Sequence, residues 1–171
     1  GTGYENILLV NSFSKTFAMT GWRIGYILST NLEAMQQLIK LQYYVTACSN
    51  DAMQYAVLAA FNEAYDYPAE MTQEFQARRD LICERLNAMP GVSCHVPEGA
   101  FYVFPKVDIP GMNSEEVAME LLKGGVLCSP GTAFGESGEG HLRFAYTIGR
   151  EDISRGMDKV EMVLSKLRDG N

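Results

Sequence analysis

The chain has 171 residues, 47% of them apolar and 20% charged, with 14 basic residues against 21 acidic ones for a net charge of −7. This is ordinary globular composition, enough for one solid core or one and a half small ones, and with no low-complexity tract disorder is a poor default. Without a concentrated basic face a nucleic-acid partner is not expected, and runs such as Ile7–Val10 are far too short to cross a bilayer.

The opening Gly1-Thr2-Gly3-Tyr4 has no basic region, no long apolar stretch and no initiator Met, which fits a segment cut from a longer chain. Asn6–Val10 reads as a buried strand. A hydroxyl-rich loop, Asn11–Thr20, leads through Gly21-Trp22-Arg23 into a second apolar run, Ile24–Leu28. From an Asn31 cap the period becomes helical, with Leu32, Met35, Leu38 and Ile39 at three- and four-residue steps. A second helix begins near Ser49–Asp51 and carries Met53, Ala56, Val57, Ala60 and Phe61.

Pro68 suits the first turn of a long helix over about 68–89, with Met71, Phe75, Ile82, Leu86 and Met89 as its apolar positions and Pro90-Gly91 as its stop. Val92–Val96 and Phe101–Val107 read as two strands joined by the turn Pro97-Glu98-Gly99. Asn113 and Glu116 have the spacing of a capping box, opening a helix that runs to Lys123 and stops at Gly124-Gly125. A strand Val126–Ser129, a Gly-rich loop Pro130–Gly140 and a strand His141–Thr147 follow. The last helix carries Ile153, Met157, Val160, Leu164 and Leu167. The class is α/β in the first part and α+β in the second, divided at the long helix into residues 1–66 and 67–171.

Cys48, Cys83, Cys94 and Cys128 form no C-x-x-C pair, and His95 and His141 are too distant in sequence to complete a local zinc site. Scattered thiols suit reduced, structural roles in a cytoplasmic setting, and no metal is expected.

The segment Ser12–Arg23 holds four hydroxyl side chains, one lysine and one arginine between two apolar runs. Hydroxyls donate single hydrogen bonds to phosphate oxygens, and a guanidinium offers a planar fork that matches two of them. A lysine amine in a partly dry site can lose its proton and attack a carbonyl. Together these suit a phosphorylated aldehyde. The bland alternative, a solvated loop with a surface lysine, is weakened by the apolar flanks. A P-loop is excluded because Ser12, Phe13 and Ser14 stand where that motif requires glycines.

Ser12–Tyr26, reading SFSKTFAMTGWRIGY, resembles the lysine signature of fold-type-I aminotransferases of class I/II, the family that includes aspartate aminotransferases. The resemblance implies that Lys15 forms the Schiff base with pyridoxal 5'-phosphate, that Ser12 and Arg23 hold its phosphate, and that Ser14 adds a polar contact. A second segment, Gly138–Tyr146, feeds a strand whose alternation puts His141, Arg143 and Ala145 on one face and Leu142, Phe144 and Tyr146 on the other. An arginine among such neighbours needs an anionic partner or the surface, and a structural salt bridge is one answer. The segment also resembles the family strand whose arginine clamps the substrate α-carboxylate, which makes Arg143 the match. Glu98–Tyr102 and Pro130–Gly135 resemble family segments in the expected order.

The resemblance implies a fold-type-I transferase's C-terminal part, a remnant of the large mixed-sheet domain plus a complete small α+β domain. It implies transfer of an amino group from an L-amino acid to a 2-oxo acid, and a homodimer in the full-length protein. The residue that pairs with the pyridine nitrogen, the stacking aromatic and a phosphate-binding helix terminus belong upstream in the family, so this chain alone is expected to be inactive. The alternatives are another reaction on the same fold, a C–S lyase or a cyclopropane-carboxylate-type synthase, and a non-catalytic binding or assembly module.

Overall fold

A computed structural model describes Tyr4, residues 6–64 and residues 66–170. The opening residues 1–3 and the outermost position 171 of the second expected domain lie outside them. The chain forms two compact units, Gly1–Glu70 and Met71–Asn171.

In the first unit, β1 (Leu9–Ser12) pairs antiparallel with β2 (Gly25–Leu28), in the register Leu9 to Leu28 and Ser12 to Gly25. Backbones approach so closely here that a Cβ at Gly25 would stand 2.6 Å from the Asn11 carbonyl oxygen. The connection is not a plain loop. It holds the short helix α1 (Phe13–Thr16) and a 3-10 turn at Thr20–Trp22. Then come α2 (Leu32–Thr46), with Asn31 accepting from the Ala34 N–H, and α3 (Asp51–Glu63), with Asn50 accepting from the Met53 N–H. Both caps satisfy first-turn donors that a helix otherwise leaves open.

The expectation that these strands are buried needs correcting. Val10 is 68% exposed, and all four residues of β1 are exposed. No residue of α2 is buried, so Leu32 and Ile39, read as inward-facing, are exposed. Periodicity identified the helix, but its apolar face is covered only in part: Met35 and Leu38 are half-buried while Leu32 and Ile39 face outward. The packed centre is small: Phe13 is buried, with its ring 5.6 Å from Tyr26 and edge-on to Phe61 at 5.4 Å.

The second unit carries the main core. The chain passes along α4 (Tyr67–Ala88), β3 (Val92–Ser93), β4 (Tyr102–Val103), β5 (Lys106–Val107), α5 (Ser114–Lys123), β6 (Ser129–Pro130), β7 (Leu142–Ala145) and α6 (Arg150–Asp169). β7 lies between β4 and β6, antiparallel to both, while β3 pairs with β5. The two-strand reading of 92–107 is therefore corrected. Phe101–Val107 is broken at Phe104-Pro105 into β4 and β5, which join different sheets. Pro105 has no N–H to donate to a ladder, and its carbonyl instead accepts from the Leu142 N–H at 3.1 Å. The core residues Leu86, Leu121, Val160 and Leu164 are fully shielded from solvent, and Leu142, Phe144 and Tyr146 are buried together as the strand alternation requires.

The capping box forms as spaced: Asn113 Oδ1 accepts from the Glu115 and Glu116 N–H groups, and the Asn113 N–H donates to Glu116. A second carboxylate joins it from outside the helix. Glu139 accepts from the Ser114 N–H at 2.7 Å, the Ser114 hydroxyl at 3.1 Å and the Gly140 N–H at 2.8 Å. The Ser114 N–H foremost, then that of Gly140, hold its carboxyl below the usual carboxylate range. A depressed folded-state pKa contributes stability above the unfolded value and loses it as pH falls through the folded value. Glu139→Ala is thus expected to lower the thermal midpoint at pH 7, with the deficit shrinking once the pH drops below about 4, near the ordinary Glu pKa. Melting curves of both proteins across pH 3–7 check this; a deficit independent of pH would contradict it.

Candidate active site

Helix α1 is positioned by its apolar first residue. Phe13 is buried, and its N–H donates to the Ile24 carbonyl at 3.3 Å, tying the helix to the residue before β2. Ser12 ends β1 and caps α1: its Oγ accepts from the Ser14 N–H at 3.1 Å and donates to the Ser14 Oγ at 2.9 Å. The two serine hydroxyls thus stand side by side, with Lys15 next along the same helix. Lys15 is exposed in this unit, so the partly dry setting expected from buried flanks is not present within it.

Arg23 closes the segment. Its φ of +52° lies in the left-handed region, as does that of Ala18 at +55°. Two non-glycine residues in that region within one short connection store backbone strain, a feature that concentrates at functional sites. The Arg23 Nη1 donates to the Thr20 carbonyl at 2.7 Å, which folds the guanidinium back along its own turn. Among the described residues no carboxylate lies within 4.0 Å of it. Ser12, Ser14 and Lys15 thus lie on or at the start of one short helix, and Arg23 closes the same connection; hydroxyls and a guanidinium are donors that a phosphate can accept from.

Arg143 belongs to the second unit. It sits in β7 opposite Ser129 of β6 and donates from Nη2 to the Ser129 Oγ at 3.3 Å. Its guanidinium carbon lies 4.7 Å from the Tyr102 ring centroid and 4.5 Å from that of Phe134. Here too no carboxylate lies within 4.0 Å among the described residues. The salt-bridge alternative for this arginine therefore finds no acid in the described chain. A half-buried guanidinium with aromatic neighbours and no acid is a receptive anion site.

Sequence reasoning missed Ser129, Tyr102 and Phe134. Tyr102 and Phe134 lie in segments read only for their order along the chain. The signal available was pairing: an arginine placed mid-strand needs flanking strands, and Tyr102 and Ser129 are the residues those flanks bring alongside.

The loop before β7 depends on glycine. A Cβ on Gly131 would fall 1.9 Å from the Gly138 carbonyl oxygen, so only glycine lets the two backbones cross. Burial pushes the Cys94 thiol up to about 12 and the Cys128 thiol up to about 11, which keeps both protonated near neutral pH and poor as nucleophiles or metal ligands. No described helix is long and apolar enough to cross a membrane.

Residues 2–160 match the family model described as aminotransferase class I and II. The aspartate aminotransferase of Pyrococcus horikoshii is 40% identical over 163 residues, covering 94% of this chain and 41% of that protein. Aromatic-amino-acid aminotransferase 2 of Thermococcus litoralis is 37% identical, covering 95% of this chain and 42% of its own length. Among solved structures, the aromatic aminotransferase from Pyrococcus horikoshii superposes with a TM-score of 0.86 at 37% identity, covering 97% of this chain and 45% of that one. The chain spans about two fifths of the length of the curated relatives it matches.

Proposed function

Since the chain belongs to the class I and II aminotransferases, we propose that the whole protein transfers an amino group from an L-amino acid to a 2-oxo acid with pyridoxal 5'-phosphate as cofactor. The observation that supports this reading is the Ser12–Arg23 segment: two hydroxyls in contact, a lysine on the same short helix, and an arginine at the end of one strained connection. Ser12, Ser14 and Arg23 would hold the phosphate, and Lys15 would bind the cofactor covalently. When bound, the cofactor supplies an electron-withdrawing ring that stabilises negative charge on the substrate α-carbon. The Lys15 amine would take the α-proton as general base and deliver it again as general acid. Arg143 holds the α-carboxylate through its guanidinium fork, which fixes the substrate's orientation.

In this reading residues 1–66 belong to the large cofactor-binding domain and 67–171 form the small one. The two compact units support that division. A homodimer and a cytoplasmic setting complete it. The dimer is supported by the uncovered apolar residues of α2, among them Tyr43 at 67%, Tyr44 at 75% and Val45 at 68% exposure, a surface more apolar than water-facing helices usually carry.

Incubating the whole protein with the cofactor and amino acid–2-oxo acid pairs tests the reaction. The expected result is one new 2-oxo acid per new amino acid with no free ammonia. Ammonia released with the 2-oxo acid would identify a lyase instead. No turnover of any amino acid would refute the proposal.

A further inference from the structure

The guanidinium of Arg143 is not simply near two aromatic rings; it is held between parts of the fold that are themselves braced. Tyr102 comes from β4 and its ring contacts Phe101 at 4.6 Å, which in turn stacks on Phe75 of α4 at 6.1 Å. Phe134 comes from the 3-10 turn Gly131–Phe134 and meets Phe104 edge-on at 6.0 Å, whose ring stacks on His141 at 5.1 Å and 8°. Ser129 takes a hydrogen bond from Nη2. A guanidinium has two π faces and, in its plane, five N–H donors that offer a carboxylate more than one bidentate edge. Rings at 4.5 Å and 4.7 Å occupy space that an anion would otherwise use, and a hydroxyl engages one of the terminal nitrogens.

We propose that Tyr102 and Phe134 are positioning residues that clamp the Arg143 guanidinium, so that an α-carboxylate is received in its plane, at N–H donors other than the one given to Ser129. This rests on the reading of Arg143 as the carboxylate-binding residue. An arginine side chain otherwise carries a large rotamer entropy, which a ligand would have to quench on binding. Two braced rings remove that freedom beforehand, and cation–π attraction adds to the hold. The clamp acts on binding of the carboxylate and not on proton transfer, so its loss is read in KM and not in kcat.

The test uses the full-length holoenzyme and maleate, a dicarboxylate with no amino group to react. Phe134→Leu and Tyr102→Leu are each expected to weaken maleate binding about fivefold, the scale of one cation–π contact. KM for the amino acid should rise in parallel, with kcat changed less than twofold. Phe134→Tyr and Tyr102→Phe, which keep the rings, should restore the affinity. Phe134 is 53% exposed, so its replacement leaves the core intact, and a melting curve checks that the variants are folded. If the leucine variants are folded and bind maleate as the parent does, while Arg143→Ala binds it poorly, the clamp is wrong and the role of Arg143 stands. If Arg143→Ala also binds maleate normally, both are wrong.

Discussion

Lys15→Ala in the whole protein is expected to lower kcat by about four orders of magnitude, the upper range for loss of a positioned general acid–base. The side chain has two duties in the proposed chemistry, covalent attachment of the cofactor and movement of the α-proton, and alanine performs neither. Folding should be unaffected, because Lys15 is exposed on α1 while Phe13 anchors that helix in the packed centre. Lys15→Arg separates charge from chemistry. Arginine keeps the positive charge but does not lose its proton in a protein, so it is expected to be as inactive as alanine. Single-turnover kinetics on both variants check this, with melting curves to show that they are folded. Activity retained in the arginine variant would mean that Lys15 acts only as a charge.

The second large effect is at Arg143. Arg143→Ala is expected to reduce kcat/KM about 100-fold, within the roughly 2–5 kcal/mol cost of removing one partner of a desolvated charge pair, at about 1.4 kcal/mol per decade. The absence of any described carboxylate within 4.0 Å is what gives the prediction its size. An arginine already paired in the protein would have less to offer a substrate. Lysine at this position keeps a point charge but loses the planar fork and the ring contacts to Tyr102 and Phe134, so Arg143→Lys should recover only a small part of the loss. Steady-state kinetics with an amino acid and with its amine lacking the carboxylate provide the check. The discrimination between them should collapse in Arg143→Ala, and an unchanged ratio would contradict the role.

Much of this was legible in the residues. The three caps Asn31, Asn50 and Asn113 stand at or next to the positions that the start of periodicity indicates, and the alternation in 141–146 separated Arg143 from the buried Leu142, Phe144 and Tyr146. Caps and alternation are local, and local chemistry decides them. What failed was burial and pairing. Val10 and Ile39 look inward-facing by pattern, yet what covers an apolar face is a matter of neighbours that no period encodes. Pro105 was visible in the sequence, but that it would send β4 and β5 to different sheets depends on β7, some forty residues further along. The aromatic neighbours of Arg143 escaped because Tyr102 reaches it through strand pairing at long sequence separation, and Phe134 through a 3-10 turn that no period encodes.

The central claim, that Lys15 is the residue bound by the cofactor, is tested most directly by covalent trapping. The whole protein is incubated with pyridoxal 5'-phosphate, reduced with borohydride, digested and analysed by mass spectrometry. The account predicts the pyridoxyl group on Lys15, with Lys40, Lys106, Lys123, Lys159 and Lys166 essentially unlabelled. Label spread evenly over these lysines, or concentrated on any of them while Lys15 stays unmodified, would contradict it.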